Sequence, residues 1–108
     1  MMAGKKLVLV YAPQVRGHVA AIERKYHRVL RDEIVQQLSH EPLMPARNRK
    51  PLERVPGPAG ATWELRCGPD NRLRVFYEVD ASTGTVVILA VGVKLRNRLF
   101  IGGQEVET

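Results

Sequence analysis

TWELRCGPDNRLRVFYEVD, residues 62–80, is the stretch whose reading decides the fold. Trp63, Leu65 and Cys67 alternate with Glu64 and Arg66. Beyond a GPDN turn, Leu73, Val75, Tyr77 and Val79 alternate with Arg74, Phe76 and Glu78. Side chains two apart along a strand share a face. The segment therefore reads as a β-hairpin with one apolar face, while the other carries Arg66 and Arg74 among Glu64, Phe76 and Glu78. That second face is either ordinary solvated sheet, its arginines paired to Glu64 and Glu78, or a surface built to meet an anion.

The chain around the hairpin has 108 residues, the length of one domain spanning 1–108. Its hydrophobic share of 44% and charged share of 26% are those of a soluble globular protein. Seventeen Lys and Arg against eleven Asp and Glu give a formal +6, an excess that favours anionic partners. Cys67 is the single cysteine, which excludes an internal disulfide and a cysteine-rich zinc site, and fits a reducing cytoplasm. The opening MMAGKKLVLVYAPQ places two lysines before an apolar run. The run from Leu7 to Ala12 is too short for a signal core, and no stretch approaches a membrane span. It reads as a first strand.

From Val15 the period changes. Val15, Val19, Ile22, Tyr26, Val29, Leu30, Ile34 and Leu38 recur at helical spacing, and the pattern ends near Ser39. A break near Lys25 to His27 would fold this segment into a helical hairpin. PLMPARNRKPLERVPGPAG then holds five of the seven prolines and reads as a loop. After the quoted hairpin, GTVVILAVGV is an apolar, β-branched run suited to a central strand covered on both faces. The tail KLRNRLFIGGQEVET is basic first and acidic last. The expected architecture is an α+β domain: a small, mainly antiparallel sheet with a helical hairpin packed on one face. Arg66 and Arg74 would lie on the face left uncovered.

Basic residues come from three segments: Arg47, Arg49 and Lys50 before the hairpin, Arg66 and Arg74 within it, and Lys94, Arg96 and Arg98 after the last strand. If GTVVILAVGV pairs beside RVFYEV, the three groups converge on one side. Arginine offers a planar fork of donors matched to phosphate. By contrast, His18, His27 and His40 have no acidic partner at metal-ligand spacing and read as surface or core residues. Cys67 has no recognisable base and reads as structural. GPAG and IGG read as turns, and Trp63 as an inward, core-packing ring.

The ordered set KPLERV, ATWELRCGPDNRLRVFYEVD and TVVILAVGVKLRNRLF resembles the toxins of the RelE/ParE superfamily of bacterial type II toxin–antitoxin systems. The likeness is carried by residues 50–100, and the strand and helical segment before them agree in order. It implies a RelE-like fold, a cytoplasmic toxin, and a cognate antitoxin as partner, with no cofactor, no metal and no membrane. In the RNase members the concave sheet face enters the ribosomal A site. There the mRNA 2′-hydroxyl attacks the adjacent phosphate, and basic residues stabilise the developing charge. Carried over by motif, Arg66, Arg74 and Lys94 are the catalytic positions. Arg49, Lys50, Arg72, Arg96 and Arg98 are further candidates for RNA contact. Two departures stand out: Glu64 where the best-known RNase branch has a lysine, and Phe100 at the position matching its catalytic tyrosine. A phenylalanine transfers no proton, which leaves Glu64 or Glu53 as candidate bases. The resemblance therefore implies a metal-independent, ribosome-dependent mRNA interferase. The alternatives are a ParE-like, non-catalytic inhibitor of DNA gyrase, or a toxin homologue with decayed activity.

Overall fold

The hairpin forms in the register its alternation implies: Trp63–Cys67 pairs antiparallel with Leu73–Asp80, and Arg66 lies directly opposite Arg74. The computed structural model describes residues 6–53 and 57–107. In chain order these give β1 (Val8–Tyr11), α1 (Val15–Ala20), α2 (His27–Leu38), β2 (Arg49–Pro51), β3 (Trp63–Cys67), β4 (Leu73–Asp80), β5 (Thr85–Leu95), β6 (Arg98–Ile101) and β7 (Gln104–Val106). One seven-stranded sheet runs β2-β3-β4-β5-β6-β7, with β1 parallel to β5 and every other pair antiparallel. No helix among the described residues is long and apolar enough to cross a membrane. The expected α+β architecture, a mainly antiparallel sheet with the helices on one face, is present. Arg54 and Val55 of the KPLERV motif, and the residues preceding Lys6, lie outside the described residues.

Both helices cover one face. Val15, Ile22, Leu30, Ile34 and Leu38 meet Leu65, Cys67, Leu73, Val75, Tyr77, Val86, Ile88 and Val91 in the main core. The interruption between the helices falls a little earlier than the sequence suggests. The chain leaves helical geometry after Ala21, Glu23 is extended, and one 3-10 turn at Arg24–Tyr26 leads into α2. Ile22 is buried at the break, and its carbonyl accepts a bond from the His27 Nε2 at 2.7 Å. A backbone acceptor without a helical partner is thus satisfied by a side chain. Trp63 packs inward as expected, its ring 6.2 Å from that of Tyr77. The buried Tyr77 hydroxyl donates to the Pro42 carbonyl at 2.5 Å, tying the proline-rich loop to the core.

Three short strands are not legible in the sequence pattern. β2 lies inside the presumed loop, and the tail forms β6 and β7. Arg96 and Asn97 join β5 to β6 with φ of 51° and 70°, and Gly102 and Gly103 join β6 to β7 with φ of 63° and 81°. Two successive residues at positive φ make the two-residue hairpin turn whose twist matches the flanking strands.

β5 is the axis of the sheet. β4 runs along one edge, while β1 holds the first half of the other edge and β6 the second half. The β4–β5 register shifts between Phe76, opposite Ala90, and Tyr77, opposite Ile88, so Leu89 is an extra, bulged residue. The bulge reverses the phase of the strand. Val86 and Ile88 face the helices, as does Val91, whereas Ala90, Gly92 and Lys94 turn to the opposite face. Two side chains, one at the N-cap of α1 and one a turn further on, secure the irregularity. Gln14 Nε2 donates to the Leu89 carbonyl at 3.0 Å, and the Val91 N–H donates to His18 Nδ1 at 3.3 Å. Burial lowers the pKa of His18, which favours the neutral ring that can accept this bond.

Candidate phosphate-binding cleft

The face opposite the helices is not open sheet, contrary to expectation. Ala61, Phe76, Ala90 and Leu99 form a second buried cluster, with Leu52, Leu89, Ile101 and Val106 packed against it. The loop ending at Ala61 and the β6–β7 hairpin therefore wall this face on two sides. Between the walls lies a cleft of about 520 Å³ lined by Glu64, Arg66, Arg74, Lys94 and Glu107 among apolar neighbours.

Each charge is placed by its strand. Register sets Arg66 against Arg74, a like-charged cross-strand pair that is unfavourable alone. Glu64, two residues from Arg66 on the same face, compensates. Its Oε2 accepts from Arg74 Nη1 at 3.2 Å and its Oε1 from Arg66 Nε at 3.5 Å. Arg74 Nε donates in addition to the Asn71 carbonyl at 3.0 Å. Glu64 is 7% and Arg74 9% exposed, so this is a buried, hydrogen-bonded pair rather than a surface contact. The outer guanidinium nitrogen of Arg74 and both outer nitrogens of Arg66 remain without a protein partner among the described residues. Lys94, expected after the last strand, is within β5 and is turned to the cleft by the bulge. Its backbone N–H donates to the Arg72 carbonyl at 2.7 Å, and its ammonium makes no ion pair among the described residues.

Gly92 makes room beside Arg74. A Cβ there would come within 2.6 Å of the Phe100 carbonyl oxygen and 2.9 Å of Ile101 Cγ1. Only a residue without a side chain lets β6 approach β5 this closely beside the cleft.

The remaining candidates divide. Lys50 pairs with Glu64 in register and shares the cleft face, near its exposed rim. Arg49 does not. It opposes Leu65, on the helix side, and its Nη1 donates to the Gln37 carbonyl at 2.7 Å. Arg49 thus caps the C-terminal turn of α2, where a cation and a donor are both favourable. Arg72, Arg96 and Arg98 gather with Lys94, Leu95 and Phe100 around a separate notch of about 440 Å³ at the end of the sheet. Two of these cations are engaged: Arg72 pairs with Asp70 at 3.5 Å, and Arg98 holds both carboxylate oxygens of Glu105 at 3.0 and 3.1 Å. Phe100 opposes Val93 on the helix-side phase of β6, so it is not a cleft residue. Glu53 is exposed and outside the cleft, and Glu78 makes no ion pair with either arginine. Cys67 is in the main core, its thiol pushed up to about 12 chiefly by burial, and so stays protonated. Among the described residues no group of three His, Cys, Asp or Glu could hold a metal ion.

Glu107 does not stand out in the sequence. Only the folding of β7 against β6 brings it to the cleft, and the Gly-Gly turn is the one signal of that fold-back.

No family model and no curated protein sequence matches the chain. Its fold is similar to a chain in the crystal structure of the toxin–antitoxin complex RelBE2 from Mycobacterium tuberculosis. The TM-score is 0.67 at 25% identity, and the match covers 84% of this chain and 94% of that one. Nearly the whole of the solved chain is matched. The fold is thus similar to that of a toxin–antitoxin complex of the RelBE type, which supports the resemblance to RelE-type toxins that the motifs imply.

Proposed function

We propose that this chain is the toxin of a type II toxin–antitoxin system, acting as a single domain in the cytoplasm. Its activity is the ribosome-dependent cleavage of mRNA in the A site. The observation that carries the reading is the convergence of Arg66, Arg74 and Lys94 on the lining of one walled cleft, each keeping a donor without a protein partner among the described residues. A phosphate entering there meets a preorganised cationic frame. Such donors matter most for the extra charge of a pentacoordinate phosphorane, and losing one fixed donor typically costs about 10²–10³ in rate. The 2′-hydroxyl of the substrate is the nucleophile. The chain's own contribution is to orient the phosphate, exclude water with the Ala61 and Val106 walls, and stabilise charge.

The cognate partner is an antitoxin with an acidic, amphipathic segment that masks the basic cleft. The solved neighbour is itself a toxin–antitoxin complex, and the +6 charge of this chain suits rapid capture of an acidic partner. The deciding experiment follows mRNA cleavage on programmed ribosomes, with gyrase supercoiling assayed in parallel. A cut in the A-site codon that weakens by about 10² or more in Arg74→Ala supports the reading. Intact mRNA together with inhibited supercoiling replaces it with the gyrase-poison alternative.

A further inference from the structure

The cleft stabilises charge, but strand cleavage by a 2′-hydroxyl also requires a proton acceptor at the reacting end. Identifying that acceptor rests on the RNase reading. Glu64 is poorly suited, because both its oxygens face guanidinium groups. Phe100 carries no titratable group and lies on the other phase of β6, and Glu53 is outside the cleft. One carboxylate remains on the cleft wall, that of Glu107. It is exposed and, among the described residues, makes neither an ion pair nor a hydrogen bond.

Its placement comes from the hairpin. The Gly102–Gly103 turn folds β7 against β6, setting Val106 opposite Leu99. Val106 packs on the cluster of Phe76, Ala90 and Leu99, and so anchors the next residue beside the cleft. The charged groups facing the same space are Glu64 and Arg66 from β3, Arg74 from β4 and Lys94 from β5. Glu105 is on the opposite phase of β7, occupied by Arg98.

We propose that Glu107 is the general base of the cleavage and Lys94 its general acid. The 2′-hydroxyl proton passes to a Glu107 carboxylate oxygen as the 2′-oxygen bonds to phosphorus. The bond from phosphorus to the 5′-oxygen breaks, and that oxygen takes a proton from the Lys94 ammonium. The products are a 2′,3′-cyclic phosphate and a 5′-hydroxyl end. Solvent then returns one proton to Lys94 and removes one from Glu107, so no other reactant is consumed.

The test uses the full chain carrying Glu107→Gln, with Glu107→Asp as its companion, in single-turnover cleavage on programmed ribosomes. Binding to single-stranded RNA and thermal melting are measured on the same samples. Glu107→Gln is expected to melt like the wild type, bind RNA at least as tightly, and cleave about 10²–10⁴-fold more slowly. Glu107→Asp, which keeps a carboxylate as proton acceptor, should retain much of the rate that Glu107→Gln loses. An unchanged rate in Glu107→Gln overturns the assignment. So does a rate loss matched by lost RNA affinity or a lowered melting point, which marks a structural role. Absence of any A-site cut by the wild type instead overturns the RNase reading itself, before any variant is compared.

Discussion

Replacing Glu64 by glutamine should make the protein less stable and its grip on RNA stronger. In the folded chain the carboxylate is 7% exposed and spans Arg74 at 3.2 Å and Arg66 at 3.5 Å. At an effective dielectric near 20, each attraction is on the order of 5 kcal/mol before desolvation is counted. Removing one partner of a buried, hydrogen-bonded pair costs about 3–5 kcal/mol net, because the other charge is left uncompensated. Glutamine keeps the shape and one acceptor oxygen, which argues for the lower end, about 3 kcal/mol. For a protein of this size that corresponds to roughly 12–24 °C in melting temperature. The same substitution removes a negative charge from beside the phosphate site. Like charges at contact repel by between about 1 and 4 kcal/mol, depending on how wet the cleft is. RNA affinity should therefore rise about fivefold or more at fixed salt. Differential scanning calorimetry and titration with a single-stranded RNA at low salt measure the two effects together. A melting temperature equal to that of the wild type would refute the buried-pair account. Weaker RNA binding by a folded variant would refute the view that Glu64 competes with phosphate for the arginines.

Other perturbations probe separate features. Lys94→Ala should leave melting nearly unchanged, its ammonium having no ion pair among the described residues, yet flatten the dependence of log RNA affinity on log salt by about 0.7; an unaltered slope places Lys94 outside the phosphate path. Gly92→Ala should lower the denaturant midpoint by the equivalent of about 1–3 kcal/mol, because the new Cβ would meet a strand carbonyl at 2.6 Å. His18 is held below its ordinary pKa of 6.5 by burial, so the unfolded chain binds the proton more readily. Its contribution to stability is complete above pH about 6.5 and is lost as pH falls through the lowered folded value. Melting temperature followed across the acidic range should drop less steeply in His18→Asn than in the wild type.

Much of this arrangement is legible in residues 62–80 alone. The strict alternation of Leu65, Leu73, Val75 and Tyr77 against Glu64, Arg66 and Arg74 fixes which residues face the helices, and the register follows. The helical period from Val15 to Leu38 likewise survives into α1 and α2, though the break shifts because burial of Ile22 determines where the chain turns. What alternation conceals is depth. Arg74 looks like a solvated strand residue until the Ala61 loop and the β6–β7 hairpin close over it. Those walls come from segments too short to show a period: the stretch before Ala61 reads only as a turn, and the three residues of β7 read only as an acidic tail. Arg49 shows the opposite failure. It sits beside Lys50 in a basic run, but the two point to opposite faces, and the carbonyl end of α2 is invisible from local sequence. The side of the sheet taken by Lys94 is equally hidden, since counting by twos from Val86 gives the wrong face.

The bulge also governs how the molecule tolerates change. The one extra residue at Leu89 acts as a joint between two halves of β5, one belonging to the core under the helices and one to the cleft. Gln14 and His18 grip the joint from the far side of the sheet. Damage to α1 would therefore be felt where α1 has no contact. If the joint relaxes into regular pairing, the downstream half rotates by one position, and the cation at residue 94 swings into the hydrophobic side. A lesion mapped to the first helix would then present as a loss of anion binding in a protein whose cleft residues are all intact.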